Sequence, residues 1–98
     1  MGIIVRGHIV RISGMITGVM EKKRDEDLKL LGARIRQMRQ ARGLSQEQLA
    51  LEAGLDRSYV GGVERGERNI SFRCLCRIAR ALKTDVGALS AGLPETHV

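Results

Sequence analysis

From Asp25 onward the apolar residues recur at helical spacing. Leu28, Leu31, Ile35 and Met38 follow one another at steps of three, four and three, with Arg34, Arg36, Arg39 and Arg42 between them, the signature of an amphipathic helix. Gly43 ends that helix as a left-handed cap. Ser45 opens an S-x-x-Q capping box with Gln48, which predicts a short second helix from about Gln46 to Ala53. Gly54 breaks it, and Asp56 is suited to cap a third helix, RSYVGGVER, stopped by Gly66. Ser71 caps a fourth, FRCLCRIARAL, in which Phe72, Leu75, Ile78, Ala79 and Leu82 form one apolar stripe. Asp85 caps a fifth, VGALSAG, ending before Pro94, the single proline, so none is available to break a helix earlier.

Ahead of this pattern the first nineteen residues, MGIIVRGHIVRISGMITGV, are apolar but interrupted by arginine and glycine. That is too broken for a membrane span or a signal sequence. Their rough alternation suits a short β-arm, although an isolated hairpin is marginal in water. Met20 is a natural start for a compact domain, so residues 1–19 read as a flexible extension or the result of an upstream start codon. The expected organisation is a flexible or arm-like extension over residues 1–24, then one helical domain over 25–98. Phe72 and Tyr59 are the only aromatic residues and there is no Trp, so the core must be aliphatic, which favours helices over a β-sandwich. The fold class is all-α, a compact five-helix bundle.

Composition changes the picture only partly. The chain of 98 residues carries a formal charge of +6, which suggests a polyanionic partner without naming it. Residues 1–24 hold five bases against Glu21 alone, while residues 45–69 carry three bases against five acids. Net charge by itself is therefore weak support for nucleic acid. Cys74 and Cys76, two apart on a helix, diverge and cannot pair with each other. They read as reduced, small packing residues of a cytoplasmic protein. His8 and His97 stand at opposite ends of the chain, so no metal cluster is expected.

The informative stretch is QEQLALEAGLDRSYVGGVER. Two short helices joined by a three- or four-residue turn must cross steeply, which requires a small residue at the crossing and glycine in the turn. Ala50 and Gly54 occupy those places, and Leu49, Leu55, Val60 and Val63 supply a buried side. The opposite side of the third helix, with Arg57, Ser58, Tyr59, Gly61 and Gly62, is left to face a partner. Such a helix fits the major groove of B-DNA, about 12 Å wide.

Over about residues 28 to 91 the chain resembles the Cro/repressor helix-turn-helix family, also called the Xre family, most strongly in LSQEQLALEAGLDRSYVGGVERGERNIS. Within it the run DRSYVGGVERGERN is similar to controller proteins of restriction-modification systems. The resemblance implies a lambda-repressor-like domain of five helices that binds double-stranded DNA as a homodimer on a pseudo-palindromic operator. It places Gln46 at a phosphate through its side chain or backbone N–H. Arg57 and Ser58 fall where side chains reach base edges, and the Arg57 fork matches guanine O6 and N7. Tyr59 is set at the rim with its hydroxyl toward a phosphate, and Arg68 and Asn69 meet the backbone. Gly61 and Gly62 depart from the long side chains many repressors carry there. Arg39 and Glu64 match a pair that is salt-bridged between the first and third helices in this family. The fifth helix, too short to stand alone, is expected to bury Val86 and Leu89 against a twofold partner.

No phosphate-binding glycine loop, G-x-S-x-G elbow or histidine within the domain supports an enzyme, and no cofactor, small-molecule substrate or membrane partner is expected. The competing reading is an antitoxin-like or adaptor protein whose bundle mainly grips another protein.

Overall fold

The computed structural model describes the backbone of residues 2–5, 8–11 and 14–95, with side chains from 26 to 95. Two strands, β1 (Gly2–Val5) and β2 (His8–Arg11), pair antiparallel, with Gly2 opposite Arg11 and Val5 opposite His8. Five helices follow: α1 (Gly14–Ala41), α2 (Gln46–Ala53), α3 (Arg57–Glu64), α4 (Phe72–Ala81) and α5 (Val86–Ser90). The helical domain is the all-α bundle expected. Helix α1 differs from expectation at its start, running back through residue 24 to Gly14 rather than beginning near Asp25. No proline stands in that stretch to stop it. Arg6, counted above with the basic N-terminal segment, and His97 lie outside the described residues.

The caps fall where the sequence places them. The Ser45 hydroxyl accepts from the Gln48 N–H at 3.0 Å, while the Ser45 N–H donates to Gln48 Oε1 at 2.8 Å, closing the capping box. Gly54 takes the left-handed conformation, φ 68°, that ends α2. Asp56, Ser71 and Asp85 each accept a first-turn N–H of α3, α4 and α5. The tight α2–α3 turn is thus fixed on both sides by local chemistry, before any packing.

The core is aliphatic. Ile35 from α1, Leu49 from α2, Val60 from α3, Ile78 from α4 and Leu89 from α5 are fully enclosed. Helix α3 packs on α1 and α2, α4 on α2, and α5 on α1 and α4. At the α1–α3 crossing, Gly32 permits contact that no other residue would: a Cβ there would fall on the Val63 and Glu64 carbonyls, 2.6 Å from Glu64 O. Arg34 ties α5 to α1, its Nη1 donating to the carbonyls of Leu89 at 2.9 Å and Ala91 at 2.6 Å. These are the C-terminal carbonyls that a helix cannot satisfy internally.

Two expectations are corrected here. Phe72 was assigned to the apolar stripe of α4 but is 70% exposed. As the first residue of the helix it stands at its edge, and Leu75, Ile78, Ala79 and Leu82 fill the core without it. Leu89 is enclosed within the single chain, so a second copy is not required to bury it. Val86 remains half-buried.

Candidate nucleic-acid interface

Helix α3 presents two different ends. Its first turn, capped by Asp56, carries Arg57 and Ser58 exposed and Tyr59 half-buried. Arg57 forms no ion pair with Asp56 or Glu64 among the described residues; Glu64 is engaged elsewhere. A free guanidinium at the start of an exposed helix is available to a partner. Ser58 beside it offers a hydroxyl that both donates and accepts.

At its other end α3 is clamped. Glu64 sits 7% exposed and Arg39 8%. Arg39 Nε donates to Glu64 Oε2 at 2.6 Å and Nη2 to Oε1 at 3.0 Å, while Nη1 reaches the Leu44 carbonyl at 2.7 Å. This two-pronged geometry is the strongest form of an arginine–carboxylate pair. The sequence match of Arg39 with Glu64 therefore corresponds to a buried bridge between α1 and α3.

Gln46 joins the same cluster. Its side-chain Nε2 donates to Glu64 Oε1 at 3.0 Å, so one of its two amide N–H groups is engaged within the chain. Gln46 also begins α2, the end of the helix where first-turn N–H groups and the helix dipole carry partial positive charge. Sequence reasoning missed this contact, because Gln46 and Glu64 stand 18 positions apart with no local pattern linking them.

Gly61 and Gly62 are corrected. Both were expected on the open side of α3, yet both are buried. A Cβ at Gly61 would lie 3.1 Å from Arg65 Nη1 and 3.5 Å from Gln46 Oε1; one at Gly62 would lie 2.8 Å from Arg68 Cγ. The missing side chains make room for neighbours from the chain itself. Arg68 and Asn69 are exposed in the loop after α3. Leu55, Asp56, Ser58, Tyr59, Arg68 and Cys74 line an open cleft of about 440 Å³ between the start of α3 and the first turn of α4.

Tyr59 closes one wall of this cleft. Burial, and next the Cys74 thiol that hydrogen-bonds it, push its hydroxyl above the ordinary tyrosine value of 10.0, while the Ser71 backbone and the Arg68 charge pull the other way. It is neutral at physiological pH and keeps its single hydroxyl proton. Cys74 and Cys76 are free and half-buried. Among the described residues no group of histidine, cysteine and acidic side chains could hold a metal ion, and no helix is long and apolar enough to cross a membrane.

Comparison with known proteins agrees with this geometry. The helix-turn-helix family profile matches residues 35–89. Over 64 residues the chain is 47% identical to control protein C.SmaI of Serratia marcescens, covering 64% of this chain and 76% of that one. The crystal structure of the restriction-modification controller protein C.AhdI from Aeromonas hydrophila superposes with a TM-score of 0.65 at 53% identity, over 65% of this chain and 97% of that one. The controller protein C.Esp1396I, solved as a tetramer in complex with its natural 35-base-pair operator, gives a TM-score of 0.60 at 32% identity, over 64% of this chain and 83% of that one.

Proposed function

The chain belongs to the helix-turn-helix family of transcriptional regulators, and on that premise we propose that it binds double-stranded DNA sequence-specifically, as a homodimer on a pseudo-palindromic operator, in the manner of a restriction-modification controller protein. The observation that carries this reading is the asymmetry of α3: Arg57 and Ser58 stand free in solvent while Glu64 anchors the far end through Arg39 and Gln46. A reading element needs both, since base discrimination requires side chains held in a fixed register.

In this reading α3 enters the major groove by its N-terminal end. Arg57 addresses guanine O6 and N7 with its two-pronged head, and Ser58 reaches an adjacent base edge. Tyr59 donates to a phosphate at the rim, Arg68 and Asn69 hold the backbone beyond it, and the start of α2 at Gln46 receives another phosphate. Because residues 45–69 carry more acids than bases, recognition rests on the placement of these few groups rather than on bulk charge. Dimerisation through α5 and the adjoining end of α4 would use the half-buried Val86 and the shallow cleft of about 280 Å³ it lines with Cys76, Ala79, Arg80, Thr84 and Asp85. Two copies of α3 would then lie roughly 34 Å apart, one turn of DNA. The protein acts by binding rather than catalysis, in the cytoplasm, where its two free thiols stay reduced.

Selection of bound sequences from random duplexes, with affinity followed as salt rises, tests this. A palindromic consensus and a steep salt dependence are expected. A preference-free profile, or affinity that ignores salt, would overturn DNA reading in favour of a protein partner. Sedimentation of Val86→Asp tests the dimer: a monomer with weakened operator binding is expected, and an unchanged dimer would place the interface elsewhere.

A further inference from the structure

The loop that leaves α3 turns back on the helix at one residue. Gly66, at φ 75°, reverses the chain, and the Glu67 N–H donates to the Gly62 carbonyl at 2.9 Å. The next residue, Arg68, then lies against the same glycine. An ideal Cβ at Gly62 would stand 2.8 Å from Arg68 Cγ, 3.2 Å from Nε and 3.5 Å from Cδ. The crowded atoms run from Cγ through Cδ to the guanidinium Nε, so a side chain at 62 displaces Arg68 from its stem outward. Its neighbour differs: a Cβ at Gly61 meets mainly the guanidinium end of Arg65, at 3.1 Å, which can swing into solvent.

We infer that Gly62 is a positioning residue for DNA recognition: by lacking a side chain it seats the stem of Arg68 across α3 and directs the guanidinium into the cleft beside Ser58 and Tyr59. This rests on the DNA-binding reading above and adds a determinant to it. Arg68 lines that cleft together with Asp56, Ser58, Tyr59 and Cys74, and its charge acts on the Tyr59 hydroxyl there. The partner is the phosphodiester backbone flanking the bases that Arg57 and Ser58 reach. Arg68 meets it with a charge-assisted contact whose direction α3 itself dictates. A helix interior is an unfavourable place for glycine, and here the conformational penalty is offset by the placement of a cation.

The test uses the full chain and four variants: Gly62→Ala, Gly61→Ala, Arg68→Ala and Gly62→Ala with Arg68→Ala. Thermal melting is read beside affinity for the duplex selected by the wild type over a salt series. Gly62→Ala is expected to melt at or above the wild-type temperature, because alanine favours helix, while its affinity falls roughly tenfold, as for one lost charge-assisted contact. Its log–log salt slope should become shallower by about one, as it does for Arg68→Ala. The double variant should bind no more weakly than Arg68→Ala alone, and Gly61→Ala should bind like the wild type. Gly62→Ala binding with wild-type affinity and slope would overturn the inference, as would losses that add in the double variant. Lowered melting for Gly62→Ala both with and without Arg68→Ala would mark a packing residue and overturn it too. A wild-type chain that prefers no duplex would instead overturn the DNA reading itself.

Discussion

The two ends of α3, an eight-residue helix, differ in almost every physical respect. The first turn is solvated, polar and held only by its cap, so Arg57 and Ser58 respond to whatever approaches them. The last turn is buried and cross-linked: Glu64 receives both prongs of Arg39 and the amide of Gln46, joining α3 to α1 and to the start of α2 in one cluster. In the proposed reading one helix divides the work, with binding assigned to the free end and stability to the clamped one. Substitutions at the clamped end should change melting first, and those at the free end should change binding without touching melting.

The largest effect should come from Glu64→Ala. It leaves the Arg39 guanidinium buried with its Leu44 contact alone, and stranding a buried charge costs about 3 to 5 kcal/mol. Calorimetry should show a far greater drop than for Glu67→Ala, whose pair with Arg65 is exposed and contributes about 0 to 1 kcal/mol. Equal, small drops would mean that the Arg39–Glu64 pair does not act as a buried clamp. Next in size is Gly32→Ala, which pushes a methyl group into the Val63 and Glu64 carbonyls and should destabilise by about 1 to 3 kcal/mol. A stable variant would show that α1 and α3 can separate without loss.

At the free end, Arg57→Ala should leave the melting transition in place while specific affinity falls by about 1 to 3 kcal/mol and the preference relaxes at one base pair per half-site. Sequence selection with the purified variant checks this; unchanged specificity would remove Arg57 from base reading. The smallest effect lies at the boundary. The hydroxyl of Tyr59 titrates above the ordinary value of 10.0 in the folded chain, so the fold holds that proton more tightly than the unfolded chain does. Its contribution is complete below pH 10 and is lost as pH rises through the raised value. Tyr59→Phe should therefore show a shallower loss of stability in alkaline titration, and an identical slope would mean that the burial of Tyr59 has no effect on its proton.

How much of this was legible depended on the range of the interaction. Caps act over three residues, so Ser45 with Gln48, Asp56, Ser71 and Asp85 could be read directly, and all hold their helices as expected. The Arg39–Glu64 bridge, 25 positions apart, was reached through family resemblance rather than from spacing. Long-range seating of one side chain on another had no such guide. Gly61 and Gly62 looked like an open surface because a missing side chain reads as vacancy, whereas Arg65, Gln46 and Arg68 fill the space. Gly32 carried a usable signal: a glycine inside a strong amphipathic helix is unfavourable unless something passes close to it. Leu89 was expected to need a partner because α5 is short, yet α1 and α4 enclose it within one chain. The assignment of Gln46, Arg57, Ser58, Tyr59, Arg68 and Asn69 to DNA rests on their placement around α3, the cleft and the start of α2, and on the experiments above.

Helix α1 anchors two distant elements through residues five positions apart. Arg34 grips the closing carbonyls of α5, and Arg39 grips Glu64 on α3. Five residues of α-helix span about 7.5 Å along a stiff axis, so α1 works as a ruler between the surface assigned to the twofold partner and the helix assigned to the bases. A dimer assembled on α5 would inherit that fixed length twice over, once on each side of its axis. Operators with half-sites moved apart by one base pair would then have to bend or twist to keep both copies of α3 in register.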